Sequence, residues 1–182
     1  MFGWDAIWTR RKQDRLGKLA EAIETAAGRD RALLAETERI SMLRRKGASD
    51  LHALCSDFAD ALNQRLSLPL VVLDPPGYDS LRFDDNRANL FQFNLRGRLL
   101  QIEFEATEEL SSTENYRTPY ILEGAIRAFN QELLDHNIVD EKTIFYCPTG
   151  PETGQWQCFD GRTHRTIPLS QEFLIAELER IV

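Results

Sequence analysis

Long apolar runs are missing from this 182-residue chain. No stretch approaches the roughly 20 residues that a helix needs to cross a bilayer. Cysteine is scarce: Cys55, Cys147 and Cys158 cannot all pair, and none stands at C-x-x-C spacing, which predicts reduced thiols. Histidine is equally scarce. His52, His136 and His164 lie far apart, none with a second ligand at zinc spacing, so no metal or other cofactor is expected. Gly-x-Ser-x-Gly does not occur, and the loop 148–154 lacks the Gly-Lys-Ser/Thr ending of a phosphate loop. The apolar start, Met1–Trp8, is followed rather than preceded by Arg10-Arg11-Lys12, the reverse of the order in an export signal. These absences predict a cytoplasmic, non-enzymatic protein.

What is present is an ordinary globular composition, 42% hydrophobic and 28% charged, with a marked charge asymmetry. The net charge of −7 divides into 11 Lys/Arg against 8 Asp/Glu over residues 1–50, and 11 against 21 over residues 51–182. So acidic a main domain repels phosphate backbones and makes a poor nucleic-acid platform. The balance changes near Lys46-Gly47-Ala48-Ser49, which predicts a helical arm over 1–48 and an α+β domain over 49–182.

Within the arm, Leu16, Leu19, Ile23 and Ala26, then Leu33, Thr37, Ile40 and Leu43, repeat at helical spacing. Gly28 before Asp30 allows a helical hairpin; one long helix is the alternative. Such an arm needs packing, either on its own domain or on a partner. Ser49 or Asp50 is expected to cap a helix whose apolar face is Leu51, Leu54, Cys55, Phe58, Leu62 and Leu66. Val71-Val72-Leu73 reads as extended, and strands are expected at 80–84, 91–95 and 100–105. A turn on Arg96-Gly97 sets Phe93 opposite Leu100 and Phe91 opposite Ile102, while a one-residue slip destroys the match.

Thr118-Pro119 reads as a helix start, with Ile121, Leu122, Ala125, Ile126, Phe129 and Leu133 as its apolar face and Asp135-His136-Asn137 as its end. Thr143–Cys147 is read as a strand. Gln155–Phe159 and Arg162–Ile167 read as an edge hairpin across Asp160-Gly161, with Trp156 opposite Arg165. Ser170 is expected to cap a last helix. The predicted class is therefore α+β, an antiparallel sheet with helices in the order α-β-β-β-α-β-β-α, preceded by the arm.

Two sets of side chains suggest chemistry. Glu103 and Glu105 share a strand face near Asp84 and Asp85, and converging carboxylates can bind Mg²⁺ or act as acid and base, as in a small metal-dependent hydrolase or nuclease. No second half of a nuclease motif accompanies them, and alternating glutamates ordinarily mark the wet face of a sheet. Arg10, Arg11, Lys12, Arg15 and Lys18 beside Trp4, Ile7 and Trp8 fit an adaptor for nucleic acid or membrane, but Asp14, Glu21 and Glu24 dilute them. Neither nucleic acid nor membrane is the expected partner. Cys55 falls on the apolar helix face. Cys147, before a proline at a strand end, is the thiol with a route to solvent, and a nucleophile there requires His164 as its base.

Phe58…Leu62…Leu66-Ser-Leu-Pro-Leu70 followed by Leu73-Asp-Pro-Pro-Gly77, then Ser80-Leu-Arg-Phe-Asp-Asp85 and Ile167-Pro-Leu169, give a local text that resembles the small, acidic, dimeric type III secretion chaperones. The element order over 50–182 is similar too; the arm lies outside the resemblance. The resemblance implies a homodimeric module that holds an extended protein client on apolar patches. Carried over to this sequence, it implies client contact at Leu70, Val72, Leu81 and Phe83, and dimer pairing through Ile126, Phe129 and Leu133.

Overall fold

The computed structural model describes residues 4–129, 140–160, 163 and 165–182, without the side chains of residues 4–11 and 140. The chain divides into two compact units, Met1–Glu38 and Arg39–Val182. One helix, α1 (Trp4–Asn63), supplies the first unit and enters the second. Neither Gly28 nor Ser49-Asp50 interrupts it, so the long-helix alternative holds and the expected cap at residue 49 does not form. Gly47, read from sequence as part of a boundary, instead lets the helix approach the sheet. A β-carbon there would stand 2.8 Å from the Tyr146 ring, and the Trp156 indole N–H donates to the Gly47 carbonyl at 2.8 Å.

The second unit holds a seven-stranded sheet in simple sequential order, every neighbouring pair antiparallel. Its strands are β1 (Val72–Asp74), β2 (Asn89–Asn94), β3 (Leu99–Ala106), β4 (Leu122–Phe129), β5 (Asp140–Pro148), β6 (Gly154–Asp160) and β7 (Arg165–Pro168). A helix, α2 (Gln171–Glu179), closes the order, capped by Ser170, whose Oγ accepts from the Phe173 N–H at 3.4 Å. The α+β class is thus observed, with fewer helices and more strands among the described residues than expected.

The β2–β3 register is the one argued from the side chains: Phe93 faces Leu100, Phe91 faces Ile102 and Gln92 faces Gln101. The two-residue turn places Arg96 at φ 50° and Gly97 at φ 91°, the pair of positive angles that matches the twist of the strands. Gly97 takes such an angle freely, whereas Arg96 does so against its β-carbon.

Three expectations are corrected. The segment 80–84 is not a strand but a 3-10 turn over Ser80–Arg82. The Asp79 carboxylate accepts from the Leu81 N–H at 3.0 Å, an alternative to ladder hydrogen bonding that the alternation of apolar residues does not reveal. The segment 122–129 is strand β4, not a helix. Lying inside the sheet, it is apolar on one face and half apolar on the other, and such a strand imitates helical spacing. Gly124 marks the difference, because a β-carbon on it would collide with the backbone of Glu103 on β3. The rest of that expected helix, with Leu133 and Asp135-His136-Asn137, falls outside the described residues. Finally, Asp160 rather than Trp156 opposes Arg165, because the β6–β7 connection is four residues long. Trp156 instead opposes Tyr146 and packs in the core.

The core lies between the last third of α1, α2 and one sheet face, joining Leu51, Cys55 and Phe58 to Phe93, Ile102, Phe104, Ile126 and Tyr146. A smaller cluster occupies the other face, where Tyr116 and Tyr120 cover Phe145. The segment between β3 and β4 is tied to α1 by one buried side chain. Arg44 donates to the carbonyls of Thr107 (2.9 Å), Glu109 (2.8 Å) and Ile121 (3.1 Å) and stands 3.6 Å from the Asp85 carboxylate. Burial lowers its pKa from the ordinary arginine value, and Asp85 opposes that shift.

Replacing Arg44 by Met leaves the Thr107 carbonyl without its donor and the carbonyls of Glu109 and Ile121 to Thr107 alone, and a loss of about 1–3 kcal/mol is expected in urea denaturation. A loss below about 1 kcal/mol would show that the anchor is dispensable. Arg96→Asn, which suits the positive angle, is expected to add about 0.5–1 kcal/mol of stability and so raise the urea midpoint. A lowered midpoint would mean that the arginine does not bear a conformational cost.

Candidate partner-binding groove

The end of α1 leaves an apolar face longer than the sheet can cover. Phe58 is buried, Leu62 is half-buried, and Leu66, just past the helix, is 41% exposed. Asn63 fixes the exit of the chain: its side-chain amide donates to the Val71 carbonyl at 2.8 Å and its Oδ1 accepts from the Val71 N–H at 3.0 Å. This clamp turns 64–70 back as a loop and sets Leu70 beside Leu62. Opposite stand the tip of the β2–β3 hairpin and the outer face of α2. Between them lies a groove of about 470 Å³, its wall formed chiefly by Phe58, Leu62, Leu66, Leu70, Ile175 and Leu178.

Charge enters this groove at its lips. Arg96 and Arg98 come from the hairpin and Glu179 from α2. The Arg98 guanidinium leans on the Val182 carbonyl at 3.4 Å. The tight turn projects Arg96 at the hairpin tip, so the strained residue is also a charge at the groove mouth. The opposite wall is held in place by Glu177 of α2, buried and ion-paired with Lys142 of β5 and with Arg180 at 3.4 Å.

The residues expected to contact a client are scattered. Leu70 lines the groove. Val72 is exposed on β1, an edge of the sheet, and Leu81 is exposed on the 3-10 turn. Phe83 is in the core, stacked on Phe104 with centroids 6.4 Å apart. Of the expected pairing residues, Ile126 is 1% exposed in the core, Phe129 is half-buried at the end of β4, and Leu133 lies outside the described residues. Sequence reading missed Ile175 and the hairpin arginines. Ile175 belongs to a helix recognised from its cap, but its direction depends on how α2 meets the sheet.

The sheet carboxylates are drawn to different arginines. Asp85 faces Arg44, Asp84 stands 3.9 Å from Arg87, and Glu103 pairs with Arg127, which also binds Glu141 at 2.6 Å. The hydrogen bonds that Arg127 donates to Glu141 and Glu103 raise its pKa above the ordinary arginine value. Glu103, Glu105 and Glu123 do line a second, polar cavity of about 270 Å³, together with Arg127 and Asn115, but Asp84 and Asp85 do not reach it. No three or more His, Cys, Asp or Glu side chains stand close enough together to hold a metal ion among the described residues. His52 is buried, its Nε2 2.9 Å from the Pro75 carbonyl and its ring stacked on Tyr78. No described helix is long and apolar enough to cross a membrane.

Cys147 is buried, because Tyr116 and Tyr120 close the route to solvent that its place before a proline left open. Burial pushes the thiols of Cys55, Cys147 and Cys158 up to about 12, 11 and 12 respectively. They stay protonated at neutral pH, and His164 lies outside the described residues. An aromatic disulfide reagent at pH 8 is accordingly expected to leave all three untouched in native protein and to label all three in denaturant. One thiol reacting within seconds in the native state would contradict this burial. Comparison with protein families, curated proteins and solved structures yields no match for this chain.

Proposed function

We propose that the second unit is a protein-binding module whose groove takes a short partner segment with apolar side chains flanked by acidic ones. The observation that carries this reading is the groove itself: an apolar trough left open by its own chain, with two hairpin arginines at its lip. The apolar wall rewards burial at roughly 25 cal/mol per Å², while Arg96 and Arg98 select for negative charge and fix the direction of the segment. Set against Glu179 at the same mouth, these two arginines leave a net positive lip that favours an acidic segment over a basic one. The neighbouring edge strand β1, with Val72 and Asp74 exposed, offers backbone groups to an extended chain running out of the groove.

This is the client-holding, chaperone-like role that the secretion-chaperone resemblance implies, relocated from the predicted residues to the groove. Leu70 belongs to both descriptions.

Peptides selected from a random display library against the full chain are expected to combine apolar and acidic residues. Their affinity, measured by fluorescence anisotropy, should fall at least tenfold in Leu66→Asp/Ile175→Asp and several-fold in Arg96→Glu/Arg98→Glu. Leu66 and Ile175 are exposed, so the first variant should fold normally, checked by circular dichroism. Selected peptides that bind wild type and the folded Leu66→Asp/Ile175→Asp variant equally would refute the groove as the binding site.

A further inference from the structure

The first unit presents a problem that the groove does not address. Every side chain from Lys12 to Glu38 is exposed, among them Leu16, Leu19, Ile23, Leu33 and Leu34, each 55–70% accessible. Gly17 and Gly28, both inside the helix with open space where a β-carbon would stand, each cost about 1 kcal/mol relative to alanine. A helix of this kind, with its apolar stripe wet and two glycines in its length, is marginal alone and draws its stability from a surface that covers the stripe.

The stripe has the form of a heptad seam. Leu16, Leu19, Ile23, Ala26, Asp30, Leu33 and Thr37 follow alternating steps of three and four, and Ile40 continues the series. Two of these positions are polar. The Thr37 hydroxyl is satisfied within the helix, donating to the Leu33 carbonyl at 2.9 Å. Asp30 is the informative one. In a parallel pair of identical chains, two Asp30 carboxylates would meet in the seam, and like charges there repel. Turning one copy end for end removes that clash, setting Leu16 against Leu33 of the second copy and Ile23 against Ala26.

Charge favours the same arrangement. Residues 11–19 carry Arg11, Lys12, Arg15 and Lys18 against Asp14, whereas residues 30–38 carry Asp30, Glu36 and Glu38 against Arg31. Antiparallel pairing lays the basic stretch of each copy along the acidic stretch of the other, at both ends. Parallel pairing sets like on like.

We propose that residues 16–37 form an antiparallel two-helix coiled coil with the same segment of a second copy of this chain. The occupant of the stripe is thus the stripe itself, and the surface is independent of the groove.

Sedimentation equilibrium of the full chain should give twice the 20.9 kDa chain mass at micromolar concentration. Leu16→Glu/Ile23→Glu, at two exposed positions, should raise the dimer dissociation constant at least a hundredfold. Leu66→Asp/Ile175→Asp should leave it unchanged, which separates this surface from the groove. Direction is read from spin labels on a Lys18→Cys variant. Position 18 then lies across from position 31, so the two labelled backbones are displaced by about 20 Å along the axis. In-register parallel pairing would remove the axial displacement and leave them about 15 Å apart, one interaxial distance plus two helix radii. A monomer at 100 µM or a dimer indifferent to the Leu16→Glu/Ile23→Glu change would overturn the proposal. The short label distance would overturn it equally.

Discussion

Arg44 is the interaction on which the arrangement of the second unit depends. An apolar residue at that point of α1 would pack against the sheet but could not hold the segment between β3 and β4. That segment leaves β3 at Thr107 and returns at Ile121, and both carbonyls are held by the same guanidinium, with Glu109 between them. The planar fork of arginine can serve several acceptors at once, which the point charge of lysine cannot do in the same geometry. Because Tyr120, next to Ile121, covers Phe145 and Cys147, the second aromatic cluster also depends on the anchor. Trp156 adds a further tie, an indole hydrogen bond to the one helical carbonyl that Gly47 lets the sheet approach.

Parts of this fold were legible in the sequence where one local rule acted alone. The β2–β3 register followed from Phe91 and Phe93, whose partners Leu100 and Ile102 fall on one face in a single alignment. Ser170 announced its helix through its cap. Elsewhere two rules competed. Ile121, Leu122, Ala125, Ile126 and Phe129 satisfy helical spacing, and only the company of β3 and β5 makes β4 a strand. Gly124 carried the contrary signal, a residue poor in helices but required where two strands crowd. At 80–84, Asp79 turned an alternating pattern into a 3-10 turn through a single side-chain hydrogen bond.

The groove was less legible than the fold, for a physical reason. Its wall draws on three stretches far apart in the chain: the end of α1 with its return loop, the hairpin tip, and α2. Apolar residues in each read locally as core, and which ones stay open is decided by how far the sheet extends. Leu70, a client contact implied by the resemblance alone, reaches the groove because the Asn63 clamp on Val71 holds the return loop at its margin. Phe83 and Ile126 show the opposite case, apolar residues of similar character that the sheet absorbs completely.

The anchors on α1 have a consequence for the order in which the molecule can be made. Arg44 finds its acceptor at Ile121 across 77 residues of chain, and Gly47 meets Trp156 across 109. At a synthesis rate of about 5–20 residues per second, the Gly47 carbonyl waits on the order of 5–20 s before the Trp156 indole exists to donate to it. The helix, built from local hydrogen bonds, is complete long before its sheet. Phe58 gains its ring partner Phe93 early, but the Gly47 end of the helix stays open until β6 is made, so the burden of this topology falls on synthesis.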